Sequence, residues 1–123
     1  MKENKQFSFS ERLKSFSYAF QGIATFFRTQ HNAWIHFVAA MIVVSLGFYF
    51  HISKGEWSLV VIAVALVFIT EMLNTAVEFL TDLVSPQFHP LAKKAKDVAA
   101  ASVLFAAVAA VILGGIVFLP RIF

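Results

Sequence analysis

Four polar side chains recur at helical spacing inside an apolar stretch of the sequence, and we refer to them as the polar row: Glu71, Asn74, Glu78 and Asp82. Because an α-helix turns about 100° per residue, all four would lie within an arc of roughly 80° over about 16 Å of helix. An ionised group in hydrocarbon is costly unless it is paired or hydrated, so the polar row indicates a functional site. Its oxygens favour a hard cation such as Mg²⁺, which usually binds one or two carboxylates plus the phosphates of a substrate.

The composition indicates that the elements around the polar row cross a membrane. Of the 123 residues, 59% are hydrophobic and only 14% are charged, whereas a soluble domain carries about a quarter charged residues. Segments 29–53, 57–70 and 98–120 contain no Asp, Glu, Lys or Arg, and each can contribute a span of about 20 residues. The absence of cysteine excludes a thiolate metal site. The net charge of +3, with no basic residues interleaved with aromatics on a soluble face, gives no sign of nucleic-acid binding.

We therefore predict an all-α integral membrane protein with one membrane domain over residues 1–123. An amino-terminal amphipathic surface helix covers about 8–30, and three transmembrane helices cover about 33–50, 57–81 and 98–119. The apolar face of the first helix is formed by residues at alternating four- and three-residue spacing, namely Phe9, Leu13, Phe16, Phe20, Ile23 and Phe27. This face either lies on the membrane surface or packs on the protein's own spans, and both can hold together.

The distribution of basic residues predicts the orientation in the membrane. Basic residues precede the first span and fill segment 83–96, where Pro86 and Pro90 predict a loop, whereas the 51–56 connection has one Lys against one Glu. The positive-inside rule places the N-terminus and the 83–96 loop in the cytoplasm and the C-terminus outside. The polar row would then lie in the cytoplasmic half of the second span.

The third span is rich in alanine and glycine, which let helix backbones approach closely in lipid. Three spans from one chain give little shelter to a row of carboxylates. We therefore predict an oligomer with sites at or near its interfaces.

Two motifs carry a resemblance to a known family. The first is Glu71-Met-Leu-Asn74-Thr-Ala-Val-Glu78 followed by Asp82, and the second is His89-Pro-Leu-Ala-Lys-Lys94-Ala-Lys96-Asp97-Val-Ala-Ala. Together they closely resemble the prokaryotic diacylglycerol kinase family, which includes the undecaprenol kinases. The similarity extends over Tyr18 to Gly22, the Thr29-Gln-His-Asn32 stretch and all three spans. It implies a homotrimer in the bacterial cell membrane that transfers the γ-phosphate of ATP to a lipid hydroxyl at the cytoplasmic face.

The resemblance also implies roles for individual residues. Glu71 matches the general base that takes the proton of the lipid hydroxyl, and Glu78 matches a ligand of Mg²⁺. Asn74 matches an orienting partner in the site, and Lys96 matches the cation that faces the transferring phosphate. Phosphoryl transfer needs mainly positioning and charge neutralisation, so a base, a bound cation and a lysine form a sufficient minimal set.

Further matched positions lie near the nucleotide in the family. Asp97 falls in a nucleotide-contacting dipeptide with Lys96, and Tyr18, Gln87 and His89 match positions close to ATP. We expect these residues to contribute to ATP binding.

Two positions depart from the family pattern. Gln30 stands where the family has a second metal-binding glutamate, so the amide offers an oxygen without charge, or another group substitutes. His31 beside it is a poor ligand for a hard cation. Glu11 falls opposite a family arginine and Arg12 is one place on, so either the alignment shifts by one residue or the contact is remade.

Other interpretations of the same residues exist. A small oligomeric ion or proton pathway also places carboxylates in membrane spans. Segments 57–70 and 103–119 offer it no charge in the outer half of the bilayer, whereas a kinase needs its charges at one face. Glu71 and Glu78 could also be structural, hydrogen-bonded to Asn74 or Ser102.

The remaining polar residues have simpler interpretations. Lys93 and Lys94 are expected to be topology determinants and headgroup contacts, with a catalytic role as the alternative. His36, one turn into the first span, is expected to be a buried hydrogen-bonding residue, and His51 and Glu56 to lie in the outer connection.

The lipid is the least determined feature, because diacylglycerol and undecaprenol both present a primary hydroxyl at the interface. The Ile35-His36 start of the first span and the His89-Pro-Leu-Ala-Lys stretch are closer to the undecaprenol-using branch. The resemblance therefore favours undecaprenol.

Overall fold

The computed structural model describes residues 6–123, which form four helices in succession. These are α1 (Phe9–Thr29), α2 (His31–Tyr49), α3 (Lys54–Val84) and α4 (Pro90–Ile122), and this part of the chain contains no strand. The last three helices are long and apolar enough to cross a membrane. The prediction of an all-α protein with one amphipathic helix and three spans is confirmed.

Helix α1 packs on the spans through its carboxyl-terminal end only. Phe26 is buried there, and its ring contacts the rings of Phe27 and Phe68 at centroid distances of 5.6 and 6.4 Å. The earlier part of the predicted apolar face, from Phe9 to Ile23, is exposed in the single chain. One end of α1 is thus fixed to the spans while the rest of its Phe-rich face stays available to the membrane. Phe26, which the predicted face did not include, is the buried contact.

A short connection joins α2 to α3 at one end of the molecule. Ser53 and Glu56 form a capping box at the start of α3, each side chain accepting a backbone N–H of the other residue. Glu56 also pairs with Arg121 near the end of α4. The prediction placed Glu56 in the connection, and the structure adds that Glu56 ties the first turn of α3 to the last turn of α4.

The buried apolar core lies beside this connection and consists of Ile52, Val60, Val117 and Phe118. The ring of Trp57 packs on Gly47, so closely that a Cβ at Gly47 would lie 2.6 Å from the ring edge. Helices α3 and α4 pack against each other more extensively than any other pair. The core therefore sits at the end of the bundle away from the polar row.

The turn between α3 and α4 is shorter than the predicted 83–96 loop. Helix α3 ends at Val84, and α4 already begins at Pro90, because a proline at the first helical position lacks only an N–H that the helix does not use. His89 caps α4 by accepting the N–H of Leu91 at 3.1 Å. The lysines predicted in the loop, Lys93, Lys94 and Lys96, therefore lie in the first two turns of α4. At its other end, α4 continues past Pro120 to Ile122.

Candidate active site

All four residues of the polar row lie on the single continuous helix α3, as their spacing predicts. Their exposure increases along the helix. Glu71 is buried with 7% of its surface exposed, Asn74 and Glu78 are half-buried, and Asp82 is exposed. The row thus leads from a sheltered carboxylate to one that meets the surface.

Glu71 is held by a residue of a different helix. The Nε2 atom of His36 in α2 lies 2.8 Å from Oε1 of Glu71, and the hydroxyl of Thr75 donates to the Glu71 backbone carbonyl at 2.9 Å. His36 was expected to be buried and hydrogen-bonded; the hydrogen bond is present, but the imidazole is half-buried. The alternative partners of Glu71, Asn74 and Ser102, make no hydrogen bond to its carboxylate.

Asn74 and Glu78 form the next pair along the row. The Asn74 amide nitrogen donates to Glu78 Oε1 at 3.3 Å. The amide oxygen Oδ1 of Asn74 is buried and has no hydrogen-bond partner within residues 6–123. A buried acceptor without a partner is unusual and indicates a group still to be bound, either a donor or a cation.

The oxygens of Asn74 and Glu78 fit a magnesium ion in part. No three His, Cys, Asp or Glu side chains converge to hold a metal in the described part of the chain. Mg²⁺ nevertheless usually takes only one or two protein carboxylates and fills its remaining positions with water and substrate phosphates. One carboxylate and one unpartnered amide oxygen are consistent with that pattern.

Gln30, the second predicted metal ligand, is the one residue between α1 and α2. Its backbone is extended, with φ −117° and ψ 112°, and its side-chain amide donates to the Thr29 hydroxyl at 3.3 Å. The structure describes no hydrogen bond from Gln30 to the polar row, and its role remains a prediction.

Two ion pairs lie at the exposed end of the row. Lys96 of α4 contacts Asp82 of α3 at 2.6 Å, and Lys93 contacts Asp97 one helical turn on at the same distance. The pair with Asp82 holds the Lys96 ammonium group at the exposed end of the polar row. The resemblance predicts that this group faces the transferring phosphate. Both pairs are partly solvated, so they position side chains more than they stabilise the fold.

A groove between α3 and α4 adds one residue that the sequence did not assign to the site. Asn74, Lys94 and Ser102 line it together with apolar side chains. Lys94 was interpreted as a topology determinant and headgroup contact, and the structure places it in the same groove as Asn74. No sequence pattern indicated this position, because it depends on how α4 packs on α3.

The other predicted nucleotide contacts lie apart from these hydrogen bonds. Tyr18 is 65% exposed on α1, Gln87 is exposed in the α3–α4 turn, and His89 acts as the cap of α4. No hydrogen bond joins any of them to the polar row among residues 6–123, and their contact with ATP remains a prediction.

An apolar cavity of about 150 Å³ begins beside His36 and extends between the three spans. Ala40 of α2, Val67 and Phe68 of α3 and Gly114 of α4 contribute to its wall. His36, the hydrogen-bond partner of Glu71, therefore lies between this apolar cavity and the polar row.

The comparisons with known proteins agree with this chemistry. The prokaryotic diacylglycerol kinase family matches residues 17–118. An undecaprenol kinase of Bacillus subtilis is 41% identical over 109 residues, which cover 89% of each chain. A diacylglycerol kinase of Synechocystis is 43% identical over 109 residues, 88% of this chain and 62% of that protein. A diacylglycerol kinase of Haemophilus influenzae is 33% identical over 107 residues, 86% of this chain and 91% of that protein. The chain belongs to the prokaryotic diacylglycerol kinase family and is a lipid kinase, a membrane-embedded phosphotransferase.

Proposed function

We propose that this lipid kinase transfers the γ-phosphate of ATP to the primary hydroxyl of undecaprenol, with diacylglycerol as the alternative acceptor. The observation that carries the proposal is the gradient along the polar row. Buried Glu71 is hydrogen-bonded to His36, which lines the apolar cavity through which we expect the lipid to approach. The half-buried pair Asn74–Glu78 lies nearer the exposed end of the row, where we expect ATP to bind.

In the proposed reaction, Glu71 acts as the general base. The hydroxyl oxygen of the lipid forms a bond to the γ-phosphorus while its proton passes to the Glu71 carboxylate. The bond from the γ-phosphorus to the bridging oxygen breaks, and its electron pair leaves with ADP. Glu71 suits this role because it is sheltered from bulk water and its Oε2 atom has no hydrogen-bond partner among the described residues.

Mg²⁺ would be held by Glu78, with Gln30 and the unpartnered oxygen of Asn74 as the neighbouring oxygen donors. When bound, the ion supplies neutralisation of the charge on the phosphates. Asn74 orients Glu78 through the hydrogen bond between them, and Lys96 moves from Asp82 to the transferring phosphate.

Nucleotide contacts are proposed at the exposed end of the row. Asp97 beside Lys96 would bind the nucleotide, and Tyr18, Gln87 and His89 would complete the ATP site. These assignments rest on the family resemblance of the two motifs and of the segment around Tyr18.

We propose a homotrimer in the bacterial cytoplasmic membrane, with the N-terminus and the α3–α4 turn in the cytoplasm and the C-terminus outside. The basic residues of α1 and of the first turns of α4 support this orientation. Wide apolar faces that a single chain leaves exposed, and the small residues of α4, support close packing of subunits with sites near their interfaces.

A side-by-side assay identifies the lipid. Purified protein in mixed micelles receives labelled ATP and either undecaprenol or diacylglycerol at equal mole fraction. We expect transfer to both hydroxyls, with the higher kcat/KM for undecaprenol, as the identity to the undecaprenol kinase supports. A higher kcat/KM for diacylglycerol would reverse the assignment, and transfer to neither would reject the proposed function.

A further inference from the structure

The side chain of His36 makes the one hydrogen bond that the Glu71 carboxylate has within residues 6–123. The two residues are 35 positions apart and belong to different helices, so this contact exists only because α2 packs on α3. The imidazole and carboxylate are 27% and 10% exposed. The contact is thus partly sheltered from water, where a hydrogen bond to a charged group is stronger than at the surface.

The direction of this hydrogen bond follows from the charge state of Glu71 in the proposed reaction. An ionised carboxylate only accepts hydrogen bonds, so in the state in which Glu71 is a base, the Nε2 atom of His36 carries the hydrogen and donates it to Oε1. The second oxygen, Oε2, has no partner among the described residues, and it is not fully buried. One oxygen is therefore held and the other is left for a substrate.

Apart from Glu71, the side chains that other helices place around His36 are apolar. On the α3 side, the imidazole centroid lies 6.4 Å from the ring centroid of Phe68. In the apolar cavity that His36 lines, α4 contributes Ala110, Gly114 and Phe118. The adjoining end of α1 contributes the rings of Phe26 and Phe27, which pack on Phe68. In residues 6–123, Glu71 is the only ionisable group paired with His36.

We propose that His36 is a positioning residue for the phosphoryl transfer, an inference that rests on the proposed function. By donating from Nε2 to Oε1, His36 fixes the rotamer of Glu71 and directs Oε2 to the lipid hydroxyl. The same hydrogen bond stabilises the negative charge of the Glu71 carboxylate before the proton transfer. A general base must be aligned with the proton that it takes, and a misplacement of about 1 Å can cost about 100-fold in rate.

Three variants of His36 test this role. A Gln side chain places its amide nitrogen near the position of Nε2, whereas an Asn amide reaches only the position of Nδ1, and Leu offers no donor. His36→Gln should keep kcat within about threefold, and His36→Asn and His36→Leu should lose about 10- to 100-fold. The KM for ATP should stay unchanged in all three, since His36 lies at the buried end of the row.

The assay uses the full-length protein in mixed micelles, with undecaprenol and diacylglycerol as acceptors, and thermal denaturation of each variant as a folding measurement. Rescue by Gln and not by Asn supports positioning, because both are amides and differ only in reach. Equal kcat for all three variants, with the wild type active, would overturn the inference and leave the proposed function intact. An inactive wild type would reject the proposed function and the inference together.

Discussion

The two ends of the α3–α4 pair differ in how completely their polar groups are satisfied. At the start of α3, Glu56 accepts a backbone N–H of the helix cap and pairs with Arg121, beside a buried apolar core. In the polar row, Asn74 keeps a buried oxygen without a partner, and Glu71 keeps one carboxylate oxygen free within the described residues. Polar groups that are fully paired hold helices together, whereas those left unpaired are available to a substrate.

The sharpest test makes the same chemical change at both ends. Glu71→Gln removes the base, so we expect kcat to fall by about 100-fold or more, the range of general-base catalysis. Glu56→Gln should keep wild-type kcat, because Gln still fits a capping box. Transfer of labelled phosphate from ATP to lipid in mixed micelles measures both.

Both glutamate variants should fold, which thermal denaturation in detergent checks. Full activity of Glu71→Gln would contradict its role as the base. Loss of activity in a folded Glu56→Gln would mean that the α3 start also takes part in the reaction.

A second change tests whether Glu78 binds the proposed Mg²⁺. Glu78→Gln removes the negative charge of the carboxylate that is hydrogen-bonded to Asn74, so half-maximal activity should require at least about tenfold more Mg²⁺, the smaller effect known for residues that only support a metal ligand. A titration of activity with Mg²⁺ measures the shift. An unchanged Mg²⁺ requirement would place the ion elsewhere.

A third change tests the packing beside the start of α3, where the polar groups are fully paired. A Cβ at Gly47 would lie 2.6 and 2.9 Å from atoms of the Trp57 ring, whereas a Cβ at Gly114 would meet no atom of residues 6–123 within 4 Å. Gly47→Ala should therefore be less stable than Gly114→Ala by about 1–3 kcal/mol, the usual cost of overpacking. Thermal or denaturant unfolding in detergent compares the two, and equal stability would show that Trp57 moves aside freely.

The smallest expected effect concerns Gln30 at the α1–α2 junction. Gln30→Glu adds a charge where the resemblance predicts a metal-binding glutamate, and in water a charge about 4 Å from a unit cation contributes about 1 kcal/mol of attraction. The variant should reach half-maximal activity at up to about fivefold less Mg²⁺ in the same titration. An unchanged requirement would mean that the site is completed by other groups.

Much of the fold was predictable because it depends on local patterns. Uncharged segments predicted the three spans, and proline positions predicted the α3–α4 turn, although the turn closed sooner because Pro90 starts α4. The boundary error has a physical cause: lysines at the start of a helix resemble a loop in composition, and only backbone hydrogen bonding separates the two.

The candidate site was predictable only along one helix. The spacing of Glu71, Asn74, Glu78 and Asp82 was sufficient to align them, since one helical period relates them all. Lys94 beside Asn74, and the pairing of Glu56 with Arg121, depend on how α4 packs on α3. A pattern within one short segment of sequence does not predict that packing.

The order and types of residues were therefore enough to establish a three-span membrane protein with a row of oxygens on its second span, because helical period and hydropathy are properties of short segments. Which of those oxygens is held and which is free was decided by tertiary structure. His36 reaches Glu71 only when α2 lies against α3, since residues 35 positions apart meet through packing and not through periodicity.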